Sequence, residues 1–266
     1  MNMKHFRHLL CTTFACALSA QQTWKVVCDG SYGAHFTDLP AAVNAAAPGD
    51  TILACVPALY CPTQLTAPTI NKALRIVGLH LGAVPGNPDP SIAPILGTLA
   101  INGIHAGSTL TLSNFVQGTY VPNAPGLSIT NCAGKVVIEN YVLNTLGIPG
   151  YVLSIANCND VVVRGCSIGL AGSPMTITNS NVLFTTTAIS YPGPFPFGGG
   201  YTQTTEAIRA TNSTLTFVGC DVRGVDQQQQ PLLAGREAFV ITNSNVILAA
   251  ANYVAGGRFP GGPPYS

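Results

Sequence analysis

The chain has 266 residues, 47% of them hydrophobic and only 8% charged, with 28 Gly, 20 Pro and a formal net charge of +1. So much apolar side chain excludes a disordered polymer, which needs low hydrophobicity and high charge, and the near-zero balance excludes the basic footprint of a nucleic-acid binder. With charge so far below the usual quarter of residues, the surface must be solvated by Ser, Thr, Asn and Gln.

In chain order, residues 1–20 read as a signal peptide. Lys4 and Arg7 precede a short apolar stretch, Leu9 to Leu18, and Ser19-Ala20 supplies small residues before a cleavage point at Gln21. The stretch is too short to span a bilayer, and no later one is long and apolar enough, so no membrane span is expected. Without Lys4 and Arg7 the chain carries nine basic and ten acidic residues. Residues 21–266 are then a single domain, secreted or held at the cell surface. Seven cysteines remain in it: Cys28, Cys55, Cys61, Cys132, Cys158, Cys166 and Cys220. An exported chain permits disulfides, and the odd count leaves one thiol over unless it bonds another chain. No CxxC pair is present, so no metal site is expected.

A short helix is predicted over about 36–47, capped by Thr37 or Asp38 and stopped by Pro48-Gly49. Gly49 to Leu53 opens the first strand, and Ala73 to Val77 is another, ending at Gly78. Leu110-Thr-Leu112 follows the same alternation. Beyond it a pattern recurs five times. Leu127-Ser-Ile-Thr-Asn131-Cys132 is echoed by the segments ending Asn157-Cys158, Asn179-Ser180, Asn212-Ser213 and Asn243-Ser244, and each is followed by a second alternating apolar stretch. The Asn-to-Asn spacings are 26, 22, 33 and 31 residues.

Period-two alternation specifies strands, so the unit is strand, Asn turn, strand and a loop of variable length. Strands so short with identical turns suit a coil that returns to its start and pairs in parallel with the next. Like residues then stack: the five Asn in one column, Cys132, Cys158, Ser180, Ser213 and Ser244 in the next, and Ile129, Ile155, Ile177, Ala210 and Ile241 facing inward. Asn tolerates the left-handed backbone of a sharp corner, and its amide can bond the amide of the coil above. Counting on from the apolar pairs places Tyr141, Cys166, Thr187, Cys220 and Ala251 in a further column. Cys166 and Cys220 are then two coils apart, too far for a disulfide. A bridge is expected instead among Cys28, Cys55 and Cys61. The coils extend over about 49–255, with an irregular Gly/Pro-rich tail at 256–266.

The entry to this solenoid carries a family resemblance. The Ala-rich helix, Pro48-Gly49-Asp50-Thr51-Ile52, Tyr60 and the strand ending Ile76-Val77-Gly78 resemble the start of many pectin-lyase-like proteins. The resemblance, taken with the repeats, covers residues 36 to 255. It implies an all-β, right-handed parallel β-helix whose short N-terminal helix caps the open end. For activity it implies little, because this fold hosts lyases, hydrolases, adhesins and inert surface proteins. Resembling lyases use carboxylates that bind calcium and a basic residue, and resembling hydrolases use paired Asp with a nearby His-Gly. Neither set maps onto this chain, so no catalytic residue carries over.

The densest polar cluster is Asp221, Arg223 and Asp226, with Arg236-Glu237 one loop later. Asp221 and Arg223 share a strand face. Asp221, Arg223, Asp226 and Glu237 are the candidates if the chain is a polysaccharide lyase or glycosidase, the one reading in which calcium enters as a cofactor. Glu206 with Arg209, and Asp160 with Arg164, read as solvated outward charges, and His35, His80 and His105 are scattered singly. The longest loops carry Tyr191, Phe195, Phe197 and Tyr201, then Gln227 to Gln230. Aromatic platforms with placed polar groups suit sugar rings, so Tyr191, Phe195, Phe197, Tyr201 and Gln228 are the candidate ligand contacts. The leading expectation is a non-catalytic exported protein that displays loops to polysaccharide or other extracellular surface material. A lyase or glycosidase is the second reading, and a structural cell-envelope protein the third.

Overall fold

A computed structural model describes residues 21–57, 65–81, 93–118, 126–144, 152–170, 174–190, 206–224 and 237–256. The sequence reading of residues 1–20 as a signal peptide lies outside them, as does the tail from residue 257. Among the described residues every strand pairing is parallel, and the chain winds as a parallel β-helix. One seven-stranded sheet forms the first face: Thr69–Ile70, Leu99–Asn102, Leu127–Thr130, Leu153–Ala156, Met175–Thr178, Ile208–Thr211 and Phe239–Thr242. A 15-stranded sheet supplies the other two faces. Its long row runs from Thr23–Val27 and Thr51–Pro57 to Asn245–Ala249, and makes the second face.

The third face was not anticipated. After the second strand of each late coil comes another corner and a three-residue strand: Ser167–Gly169, Ala188–Ser190, Asp221–Arg223 and Tyr253–Ala255. Thr109–Gly118 and Lys135–Asn144 pass through that corner as single ten-residue strands, with Asn114 at φ 63° and Asn140 at φ 47°. Three residues are too few for alternation to register as a period, which is why the unit reads from sequence as two strands and a loop.

The first corner stands as expected. Asn131, Asn157, Asn179, Asn212 and Asn243 all lie between φ 48° and 56°, the left-handed region that costs most residues about 1–2 kcal/mol. Asn157 Nδ2 donates to Asn131 Oδ1 at 3.1 Å, Asn179 to Asn157 at 3.0 Å and Asn212 to Asn179 at 3.2 Å. A lower rung extends the ladder: Asn131 donates to Asn102 Oδ1 at 3.2 Å. Asn102 stands one place earlier, opposite Thr130, and Gly103 takes the corner at φ 72°. The ladder runs along the solvent-exposed edge, so its amides are not the buried groups a core ladder would present.

The residue after each left-handed corner does the buried polar work. Ser180, Ser213 and Ser244 hydroxyls each donate to the carbonyl two residues back, at 2.7–2.8 Å, and each accepts a backbone N–H from the preceding coil, at 2.9–3.2 Å. Cys132, Cys158, Cys166 and Cys220 direct their thiols to the same carbonyl, at 3.2–3.5 Å. The carbonyls of Thr130, Ala156, Thr178, Thr211, Val218 and Thr242 each accept the corner N–H of the preceding coil as well, so the side chain fills the second acceptor site of the oxygen, and a small side chain with one donor is what the position selects. These thiols and Cys55 are free and buried, so Cys166 and Cys220 are unbonded, with Thr187 between them in the column. Cys28 is disulfide-bonded, and Cys55 is not its partner.

Inward residues form one continuous core. Ile101, Ile129, Ile155, Ile177 and Ala210 stack in register with 0–1% exposure, each branched side chain contributing about 1.5–3 kcal/mol on burial. Phe184 and Phe217 stack at 4.9 Å with planes 8° apart. On the third face Tyr141 is fully buried and its hydroxyl donates to Gln117 Oε1 at 2.8 Å. That column ends on Asn252, not Ala251. Ala250 and Ala251 both take positive φ (50° and 43°), adding one residue to the last corner. Asn252 Oδ1 then accepts from Cys220 N at 2.8 Å.

The N-terminal end is closed. The helix, α1, spans Leu39–Ala45, shorter than the expected 36–47, with Asp38 as cap accepting from Ala41 N at 2.9 Å. Leu39, Ala42 and Val43 cover the core at 0–1% exposure. The ladder begins earlier than Gly49, at Thr23–Val27, which pairs with Thr51 to Cys55. Buried Asp50 ties the cap together, accepting from Gln22 N, Trp24 Nε1 and Ala47 N, each at 2.9 Å. The strand expected to end at Gly78 continues to Leu81.

Candidate functional site

Only part of the expected polar cluster is brought together. Asp221 and Arg223 project outward from the third-face strand, flanking inward Val222. Arg223 grips the carboxylate with two nitrogens: Nε lies 2.8 and 3.1 Å from the two oxygens and Nη2 2.6 Å from Oδ2. Such a fork-on-carboxylate pair is directional as well as attractive. One coil on, Tyr253 stands opposite Asp221 in register, with the Arg223 guanidinium 5.1 Å from its ring centroid. Tyr253 is 49% exposed. Sequence reading missed it because the column count ended one residue short; allowing for an extra residue in the Ala249 to Ala251 run would have brought it in.

Before this cluster the same outward columns hold Ser167, Ala188 and then Gly169, Ser190. Over these two coils the third face is thus a low shelf of small side chains, with Val142 on the coil before them and Asp221, Arg223 and Tyr253 on the coils after. Among the described residues, strands on a packed core hold it.

Other candidates fall elsewhere. Glu237 is exposed and leads into the first-face strand Phe239–Thr242, and no bond joins it to Asp221 or Arg223. Asp226, Tyr191, Phe195, Phe197, Tyr201 and Gln228 lie outside the described residues. Asp160 pairs with Lys135 at 3.5 Å and Arg164 with Glu139, all on the outer second face, as solvated charges should. His35 is exposed, its Nδ1 accepting from Lys25 N at 2.9 Å, and His105 is exposed too.

Glu206 corrects the expectation of a solvated pair. Its side chain is fully buried where the chain enters the first face, and its ion-pair partner, Arg209, is half exposed. Neither carboxylate oxygen has a well-aligned hydrogen-bond donor. Glu206 precedes the strand Ile208–Thr211 and is buried together with Ala207 and Ile208, so a carboxylate stands among apolar core residues.

Among the described residues no three His, Cys, Asp or Glu side chains converge as metal ligands would, and no helix is long and apolar enough to cross a membrane. Burial pushes the Cys166 thiol up to about 11 and raises the Tyr141 hydroxyl well above its usual value, so neither group is a nucleophile at neutral pH. No family model, curated protein or solved structure matches the chain.

Proposed function

We propose that this chain is an exported, non-catalytic β-helix that binds polysaccharide or related extracellular surface material along its third face. The observation that carries the reading is the strand-borne cluster of Asp221, Arg223 and Tyr253 at the end of a shelf of small residues. An exposed ring next to a fixed guanidinium and carboxylate offers an apolar contact plus donors and acceptors for sugar hydroxyls. Successive coils repeat at about 4.8 Å, so an extended glycan lying across the strands meets equivalent positions in turn. The near-neutral chain exerts no long-range pull on a polyanion, and the Asp221–Arg223 pair cancels its own charge, which favours a neutral glycan. Asp221 spends both oxygens on Arg223, an arrangement that suits holding a ligand better than proton transfer. Export is supported by Lys4, Arg7, the apolar run from Leu9 and Ser19-Ala20.

The test is affinity electrophoresis and pull-down on neutral and acidic polysaccharides, with and without calcium, alongside assays for released reducing ends and unsaturated products. Retention on a neutral glycan, weakened at least about tenfold by Tyr253→Ala or Arg223→Ala with no product released, is the expected result; one buried hot-spot contact is worth that much. Turnover lost in Asp221→Ala would replace this reading with an enzyme. Retention indifferent to both substitutions would remove the third face from the account.

A further inference from the structure

The two ends of the solenoid are finished differently. At the N-terminal end α1 lies over the core, and the outer edge of Thr23–Val27 is sealed by the chain itself. Val27 N donates to Phe36 O at 3.0 Å, and His35 N and Phe36 N donate to Lys25 O at 2.8 and 3.2 Å. At the other end the last coil presents Phe239–Thr242, Asn245–Ala249 and Tyr253–Ala255 as edge strands. Ala238, Thr242, Asn245, Tyr253 and Ala255 spend their ladder groups on the previous coil. The alternate residues, Phe239, Ile241, Val246, Leu248 and Val254, therefore turn N–H and C=O outward along the axis. These are also the residues whose side chains fill the core position. Ile241, Leu248 and Val254 are 37%, 53% and 37% exposed, where their counterparts one coil back, Ala210, Phe217 and Val222, are at 0%.

Proteins guard sheet edges with charge, proline or a covering segment. From Ala238 to Gly256 there is no Lys, Arg, His, Asp, Glu or Pro. Among the described residues no segment covers this ladder, and an apolar edge without charge or proline is built to be paired. We propose that it pairs with a second copy of this chain, C-terminal end to C-terminal end, about a two-fold axis perpendicular to the solenoid. The uncharged edge selects no charged partner and is compatible with itself. A two-fold reverses the sense of winding, so every strand meets an antiparallel one. Asn245–Ala249 faces its own copy, while Phe239–Thr242 of each chain faces Tyr253–Ala255 of the other. Because the N-terminal end is sealed, assembly closes at two and does not run on into a filament.

Sedimentation equilibrium of the purified chain at micromolar concentration is expected to give twice the chain mass. Leu248→Lys and Val254→Asp, each placing a charge at the centre of the contact, are expected to weaken self-association by at least about a hundredfold with an unchanged far-UV spectrum. Hydrogen exchange provides an independent reading: peptides covering 237–256 should be protected in proportion to dimer at high and low concentration, whether or not a variant folds. A monomer with unprotected peptides overturns the proposal. So does a monomer with protected peptides, which would mean the face is covered by residues of the same chain. A dimer that survives both charges, or protection that does not grow with concentration, places the contact elsewhere and overturns it as well.

Discussion

Asn179 sits mid-ladder, donating to Asn157 at 3.0 Å and accepting from Asn212 at 3.2 Å, with φ 48°. Two effects are superposed there, and two substitutions separate them. Asn179→Gly keeps access to the left-handed region and removes both amide bonds. Because the ladder faces water, each bond is worth about 0.5 kcal/mol, the low end for a solvated pair, so the loss is about 1 kcal/mol. Glycine's larger unfolded-state entropy adds about 0.5 kcal/mol. Asn179→Ala removes the same bonds and adds a left-handed penalty of about 1–2 kcal/mol, for a total of about 2–3 kcal/mol. At about 2–4 °C per kcal/mol for a chain of this size, Gly should lower the melting temperature by about 3–6 °C and Ala by about 4–12 °C. Differential scanning calorimetry with urea midpoints as a second measure decides it. Ala and Gly melting together would show that the corner does not demand positive φ. A loss near zero for Gly would show that the side-chain ladder adds nothing to the corner's conformation.

Ser213→Ala should be costly despite its modest chemistry. It removes the acceptor of buried Ser180 N (3.2 Å) and one of the two donors to Thr211 O (2.7 Å), which keeps Asn179 N; the N–H left unpaired costs about 1–3 kcal/mol, and an unchanged urea midpoint would refute the capping role. Burial disfavours the charge on Asp50, but donation from Gln22, Trp24 and Ala47 and the Lys72 charge outweigh it and hold its carboxyl below the usual value. Its stabilisation is therefore present above the unfolded-state value of about 3.9 and is lost as pH falls through the lower folded-state value. Asp50→Asn should melt lower at neutral pH and show a shallower decline below about pH 4, and identical acid slopes for the two proteins would refute it. Cys55, Cys132, Cys158, Cys166 and Cys220 are buried, so a thiol reagent should modify them only at the rate of unfolding; rapid labelling of the native chain would contradict the packing.

What could be read from sequence was whatever repeats. The Asn corner, the inward Ile column and the Ser/Cys column are each visible because one residue type recurs beside an apolar alternation. Elements that occur once, or that are too short to show a period, were hidden. Thr23–Val27 joins the ladder without any repeat signature, and Ser167–Gly169 is too brief to alternate. The extra residue at Ala250-Ala251 lies in a run of three alanines, where no side chain marks the register, and that slip hid Tyr253. Glu206 read as solvated because charge normally is, and it stands ahead of the strand that begins at Ile208, where alternation sets no phase. The ladder's exposure was equally illegible, since stacking says which residues adjoin and not which side of the corner faces water.

The in-register columns make the length of this molecule a matter of whole units. Leu153 to Pro174 is one complete turn, and the strands on either side of it, Leu127–Thr130 and Met175–Thr178, both pair with Leu153–Ala156 in the same phase. Excising those twenty-two residues would bring Asn179 onto Asn131, Ser180 onto Cys132 and Asn181 onto Lys135, with Phe184 seated above Ile138. A chain shortened by a full turn should refold with the same cross-section and a smaller unfolding enthalpy, whereas a cut of half that length would leave every later side chain out of step. The protein is in this sense countable: it can grow or shrink by duplication and loss of turns, and only its two terminal layers must stay as they are.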